Sequence, residues 1–404
     1  MEPPDAPVGR AGVSVHSSER ALDDARKMSA MNQPGAIRSR PVSFAILALG
    51  LLGAACNAPT PDTAMPRDSI IARLADLRAI HTPEGVEALE PIEVNGSTQW
   101  LSIRGLNRAN PILLVLHGGP GSPVMGMAWA YQKPWEDFFT VVNWDRRGVG
   151  KSFAAADSAR LAPTLTLQQQ VDDALVVVDH LLSRFGQEKL VVLGYSYGSS
   201  IGPRLVEQHP ELFHAYVGLG QSGGPGSEAQ LYSTLMERVR EANDTTAIRE
   251  LEALQPYPPP PGPGAVAKLL AARKWAREYD GGWYGKPTFD LYFALPEWGP
   301  EYTQDDVASM LPAMAWAERH LIDGAPEPRG SGMVERFEVP VVMLHGRFDL
   351  HTPFESALAY FNRIDTPHKR FVTFERSSHM IMFEEPGRML MTLVNEVLPL
   401  AEGR

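Results

Sequence analysis

Apolar positions along the chain fall into two recurring patterns. Short continuous runs, Pro111 to Leu116 (PILLVL), Phe139 to Trp144, Leu190 to Leu193, Tyr216 to Leu219 and Val339 to Leu344, read as strands buried on both faces, as in a parallel sheet. Between and after them come stretches with helical spacing: Leu165 to Phe185, Ile201 to His209, a segment near Phe354 to Phe361, and a closing helix from Glu384 to about Leu398. Arg370 to Phe374 supplies one further strand. Near the start of this region, Ile70, Ile71, Leu74, Leu77 and Ile80 form a helical stripe over Asp68 to Ile80, with Asp68 or Ser69 as cap. Glu90 to Val94 and Gln99 to Arg104 flank Asn95-Gly96, a hairpin signal. Buried strands alternating with helices imply an α/β fold with a mostly parallel, doubly wound sheet.

The alternation stops between about Ser222 and Arg336. That stretch holds helical segments (Glu228 to Glu241, Ala265 to Tyr279, Asp305 to Leu321), aromatic-rich loops and a proline run, Pro256 to Pro263, read as a rigid spacer. It predicts a helical cap, residues 222–336, inserted between a first part of the sheet domain (68–221) and a second (337–404). No internal repeat is evident.

The N-terminus follows neither pattern. Residues 1–40 are rich in Pro, Ser and charge. Val42 to Ala55, preceded by Arg38 and Arg40, is apolar or small throughout but too short to span a bilayer as a mature helix. Residues 1–56 are therefore expected to be an N-terminal extension and export signal, starting in effect at Met1, Met28 or Met31. Cys56 follows Leu52-Gly53-Ala54-Ala55, which resembles a bacterial lipoprotein signal in which that cysteine is lipidated. Cleavage within the small residues, with Cys56 incidental, is the alternative. Residues 57–67 then form a tether. The expected location is exported, with membrane contact only through a lipid at Cys56, or else periplasmic or extracellular.

Composition narrows the function classes. One cysteine rules out a disulfide framework, so the core alone must hold the fold. A net charge of −11 argues against a general nucleic-acid binder.

The chemistry centres on Lys189-Leu-Val-Val-Leu-Gly-Tyr-Ser-Tyr-Gly-Ser-Ser200. A buried strand, then G-x-S-x-G, then a helix is the arrangement that lifts a serine onto a strained turn at the end of a parallel sheet. Gly220-Gln-Ser-Gly-Gly224 fits the same five-residue pattern, but Gly223-Gly224-Pro225-Gly226 cannot open a helix. Ser196, not Ser222, is the expected nucleophile. A serine hydroxyl needs a base, and the base a carboxylate to fix its tautomer. In the order serine, acid, histidine, Asp349 stands just past Val341 to Leu344 and His379 in the loop past Phe371 to Phe374. His351 is too close to Asp349 to serve as its partner, and His345 precedes the acid. His117-Gly-Gly-Pro-Gly121, directly after PILLVL, would supply an oxyanion hole from the N–H of Gly119, with the N–H of Tyr197 as second donor. Each such donor is worth about 2.7–4 kcal/mol in other enzymes. No cofactor or metal is called for.

These motifs, with Asp145-Arg-Arg-Gly-Val-Gly-Lys-Ser152 and His345-Gly-Arg-Phe-Asp349, resemble the proline iminopeptidase group of α/β-hydrolase fold enzymes, over roughly Gln99 to Pro399. The resemblance implies a serine peptidase that releases N-terminal residues, proline preferred, through an acyl-enzyme on Ser196. It further implies that cap glutamates hold the substrate's free α-amine; Glu228, Glu237, Glu297 and Glu301 are candidates that match no family position one to one. Tyr195 and Tyr197 depart from the Gly-Gly-Ser-Trp-Gly form common in that group. An esterase, lactonase or amidase for small apolar substrates, with the same three residues, is the alternative. Aromatics in the cap (Trp283, Tyr284, Phe289, Tyr292, Phe293, Trp298, Tyr302) read either as a pocket above Ser196 or as cap-to-sheet packing.

Overall fold

Among the described residues, hydrogen bonding joins eight strands into one sheet. The computed structural model describes residues 65–154, 156–286, 290–323 and 332–403. The export signal, Cys56, most of the tether and Phe289 lie outside the described residues. No helix among the described residues is long and apolar enough to cross a membrane.

β1 (Val86–Val94) and β2 (Ser97–Gly105) make the antiparallel hairpin, with Asn95 at φ 46 and Gly96 at φ 74, as a tight turn between right-twisted strands requires. The remaining strands are β3 (Ile112–Leu116), β4 (Thr140–Asp145), β5 (Leu190–Tyr195), β6 (Phe213–Leu219), β7 (Val341–Gly346) and β8 (Lys369–Phe374). Their order is β1-β2-β4-β3-β5-β6-β7-β8. β2 meets β4 antiparallel, and every pairing from β4 to β8 is parallel.

Consecutive side chains of the central strands go to opposite layers, and both layers are buried. Ile112, Leu114 and Leu116 pack with Val177 and Leu181 of α2 (Leu167–Phe185) and Ile201 and Leu205 of α3 (Gly198–Gln208). Leu113 and Val115 pack on the other side with Trp135, Met389 and Leu393. That double burial is why these strands read as continuous apolar runs. α2 starts where the Thr166 side chain accepts the Gln169 N–H and stops at Gly186, φ 63.

Two expected helices differ. The N-terminal one, α1 (Arg67–Arg78), does not bury its apolar stripe: Leu77 is exposed and Arg78 is its buried residue, paired with Glu301. The closing helix is broken at Glu385, which stands before Pro386 with φ −129 and ψ 58; proline disfavours the helical region for the residue ahead of it. Short helices Ile381–Glu384 and Pro386–Thr392 flank the break.

Between β6 and β7 the described residues hold no strand. They form α4 (Ser227–Glu241), α5 (Thr245–Glu252), α6 (Ala265–Glu278) and α7 (Gln304–Glu318). α5 was not foreseen, although Asp244 caps it through the Thr246 and Ala247 N–H groups. α4 to α6 share a small core of Leu231, Leu235, Val239, Leu251 and Ala272, joined by Leu350 from the sheet part. α7 opens with a capping box between Thr303 and Asp306.

Candidate active site

Ser196 follows β5 directly and has φ 52. Among the described residues only Asn95, Asn243 and Asp280 are the other non-glycine residues with positive φ. Such a conformation persists only where neighbours over-determine it, and here they do. A Cβ on Gly198 would lie 2.0 Å from the Leu116 carbonyl oxygen, and one on Gly194 would lie 2.8 Å from that of Gly198. The two motif glycines let α3 start hard against β3 and β5. Ser222 has no positive φ and no helix begins directly after it; α4 starts only at Ser227. Its motif has another basis: a Cβ on Gly220, φ 55, would meet the His379 ring at 3.1 Å.

His379 and Asp349 meet across the ends of β8 and β7. Nδ1 of His379 lies 2.7 Å from Asp349 Oδ2, and both residues are buried. Asp349 also accepts the Thr352 N–H (2.9 Å) and hydroxyl (2.8 Å). Burial alone would raise the Asp349 carboxyl, but the charge and hydrogen bond of His379, then His345 and the Thr352 N–H, hold it well below the usual carboxylate range. His345 lies beneath the pair, its Nε2 on the Thr352 carbonyl at 2.7 Å. His351 stacks on the His379 ring at 5.1 Å, and burial keeps it neutral, with help from His379 and Arg273.

Gly119 has φ 113, and a Cβ there would lie 2.2 Å from the Gly121 nitrogen. Only glycine fits that turn. Gly118 closes on the serine, its hypothetical Cβ 2.9 Å from Ser196 Cβ. Tyr197 is the N-cap residue of α3. Ser196, Tyr197, Gly119 and His379 all line one cavity of about 1330 Å³ under the cap.

Of the four cap glutamates expected near this cavity, only Glu228 lines it, and it already accepts from Arg273 (2.5 Å) and the Tyr257 hydroxyl (2.8 Å). Glu237 is exposed; Glu297 and Glu301 are drawn away by Arg67 and Arg78. The acids that line the cavity and that sequence reasoning missed are Glu278, Asp290 and Glu318. Of these, Glu318 ends α7, next to Ala317. α7 lies across the HGGPG loop so closely that a Cβ on Gly121 would be 2.9 Å from Ala317 Cβ. The spacing of Met314 and Glu318, both lining the cavity, was the available signal. Of the cap aromatics, Tyr292 and Phe293 line the cavity, while Trp283 and Tyr302 pack in apolar clusters. The proline run is more than a spacer, because Pro258 to Pro261 form part of the wall. Tyr195 packs its ring on His379 at 5.2 Å.

The Asp145 to Ser152 block fastens the cap. The Tyr302 hydroxyl donates to Asp145 Oδ2 (2.7 Å), and Lys151 Nζ pairs with Asp306 (2.7 Å), all four buried. Burial pushes the Asp145 carboxyl up to about 7, against the Tyr302 hydroxyl and the Lys151 N–H. Among the described residues no cluster suited to a metal ion occurs.

A family model described as alpha/beta hydrolase fold matches residues 111–386. "Probable aminopeptidase YbaC" of Bacillus subtilis (strain 168) is 30% identical over 312 residues, covering 77% of this chain and 96% of that protein. A "Proline iminopeptidase" of Saccharolobus solfataricus is 25% identical, covering 77% and 91%. Among solved structures, a proline iminopeptidase of Mycobacterium smegmatis superposes with a TM-score of 0.52 at 17% identity, covering 78% and 99%.

Proposed function

The chain belongs to the alpha/beta hydrolase fold family, and from that premise we propose that Ser196, His379 and Asp349 hydrolyse the N-terminal peptide bond of small peptides through an acyl-enzyme. The observation that carries the reading is the 2.7 Å His379–Asp349 hydrogen bond opening into the cavity where Ser196 sits on its strained turn.

In this reading His379 Nε2 takes the serine proton as the hydroxyl attacks the scissile carbonyl. Asp349 holds Nδ1–H and stabilises the imidazolium. The oxyanion forms against the N–H groups of Gly119 and Tyr197. His379 then protonates the leaving amine, and water releases the acyl group by the same steps in reverse. The substrate's α-ammonium is assigned to Glu318 on α7, beside the oxyanion loop; Glu278 and Asp290 line the same cavity, as do Arg204, Arg273 and Arg277.

A second reading, an esterase, lactonase or amidase, draws on Glu228. Its charge is taken up by Arg273, so one of the cavity's acids is not offered to an amine. Prolyl and alanyl p-nitroanilides, their N-blocked forms and a short-chain p-nitrophenyl ester separate the two. Free-amine prolyl amides are expected to be cleaved with kcat/KM at least about 100-fold above blocked ones, as loss of a charged contact of about 3 kcal/mol implies. Equal cleavage of blocked amides or esters would favour the second reading.

A further inference from the structure

Two adjacent arginines follow β4, and both are buried. Arg147 is neutralised: its Nε and Nη2 reach both oxygens of Asp173 at 2.8 and 2.9 Å. Arg146, completely buried, pairs with no carboxylate among the described residues; its hydrogen-bond acceptors are neutral. Nη1 donates to the His117 carbonyl (2.6 Å) and Nη2 to that of Pro120 (3.1 Å), one on each side of Gly119. Nε donates to Gln170 Oε1 (3.2 Å), whose Nε2 donates to the Tyr197 hydroxyl (3.2 Å). The guanidinium also lies 5.7 Å from the centre of the Tyr197 ring. One cation therefore joins the loop of Gly119 to the side chain of Tyr197.

A buried charge with no carboxylate in hydrogen-bond contact is costly, Asp145 next to it acting only through its field, and replacing such a charge with apolar atoms would often stabilise a fold. Its neighbours explain what it does here. The Gly118 carbonyl is held inward, accepting from His117 Nδ1 (3.0 Å) and the Ser122 N–H (3.3 Å), with Arg146 Nη2 at 3.5 Å. In a trans peptide the carbonyl and the next N–H point opposite ways. Fixing the Gly118 carbonyl inward turns the Gly119 N–H to the opposite side of that peptide, in a loop whose Gly118 closes on Ser196. Burial, then the charge of Arg146, keeps His117 neutral, so its Nδ1–H can make that bond while Nε2 stays unprotonated.

We infer that Arg146 is a positioning residue for the oxyanion hole: it sets the Gly119 N–H through the carbonyls of the loop, steadies Tyr197 through Gln170, and adds positive potential behind the developing oxyanion. This rests on the reading of Ser196 as nucleophile. Its effect belongs to tetrahedral states, where negative charge collects on the substrate oxygen, rather than to ground-state binding.

The test uses the full chain and a fluorophosphonate, whose adduct on a serine is tetrahedral and places an oxygen in the oxyanion hole. The rate of phosphonylation, the inhibition constant of an aminoalkyl boronic acid and the dissociation constant of free proline are measured for the wild type, Arg146→Met, Arg146→Lys and Gln170→Leu. In both Arg146 variants, phosphonylation and boronate affinity are expected to fall by about tenfold to 1000-fold. Gln170→Leu should fall in the same direction by less, and proline affinity should stay within threefold in all variants. Unchanged phosphonylation in a folded Arg146 variant would overturn the inference, as would a parallel loss of proline affinity, the mark of a merely structural role. If Arg146→Met does not fold, Arg146→Lys and Gln170→Leu decide it on the same criteria. A wild type that gains no adduct on Ser196 would bring down the nucleophile reading, and this inference with it.

Discussion

The turn that carries Ser196 and the cap that covers it obey different packing rules. At the turn, backbone approaches backbone: Gly194, Gly198, Gly118 and Gly119 each stand where a Cβ would come within 3 Å of another atom. One residue type fits each position. The cap is assembled from helices around a small core of their own and fastened by side-chain contacts such as Tyr302 to Asp145 and Lys151 to Asp306. Side chains facing the cavity from such helices can change without disturbing the packing beneath. On the proposed function, the sheet end supplies the bond-making chemistry and the cap selects what reaches it.

Substitutions can break this contrast, and the largest effect belongs to the sheet end. Asp349→Asn would hold His379 in the wrong tautomer and lower kcat by about 10⁴, with free proline still bound; steady-state kinetics giving less than a tenfold loss would contradict it. Next, Gly198→Ala drives a methyl group into the Leu116 carbonyl and should cost about 1–3 kcal/mol or more in urea unfolding. Glu237→Ala, on the exposed face of α4, should stay within about 0.5 kcal/mol. Glu318→Gln should raise KM for free-amine prolyl amides about tenfold and leave a p-nitrophenyl ester untouched. A change of kcat on both substrates would mean that the cap does more than select.

A further effect is confined to pH. Asp145 has its carboxyl raised to about 7 in the folded chain, so between the ordinary value of 3.8 and about 7 the folded state binds the extra proton. Stability due to this group therefore falls as pH rises through that window and is lowest above it. Asp145→Asn, which cannot ionise, should gain on the wild type in urea midpoint between about pH 5 and pH 8. A constant difference across that range would show that the cap anchor is not strained by burying this carboxyl.

The same contrast explains what could be read from the sequence. Strands β3, β5 and β7 were legible because burial on both faces leaves continuous apolar runs, and HGGPG and Gly-Tyr-Ser-Tyr-Gly because close approach leaves only glycine. Asp349 and His379 could be placed because parallel strands bring their C-terminal ends to one edge. Glu318 was not legible, since its position depends on α7 crossing Gly121 from nearly 200 residues away in the chain. The apolar stripe of α1 marks a helix that the fold does form, but periodicity says only that a helix has a face, not that anything covers it. The Asp145 to Ser152 block stood out as a motif, but its work as cap anchor and as support for the loop of Gly119 needed the folded contacts of Tyr302, Asp306 and His117.

The central claim is that Ser196 is the nucleophile, and peptide mapping after fluorophosphonate treatment tests it most directly. The account predicts one adduct, on the peptide containing Ser196, formed in step with the loss of amidase activity and absent from Ser196→Ala. An adduct on Ser222, or full activity remaining in Ser196→Ala, would contradict it.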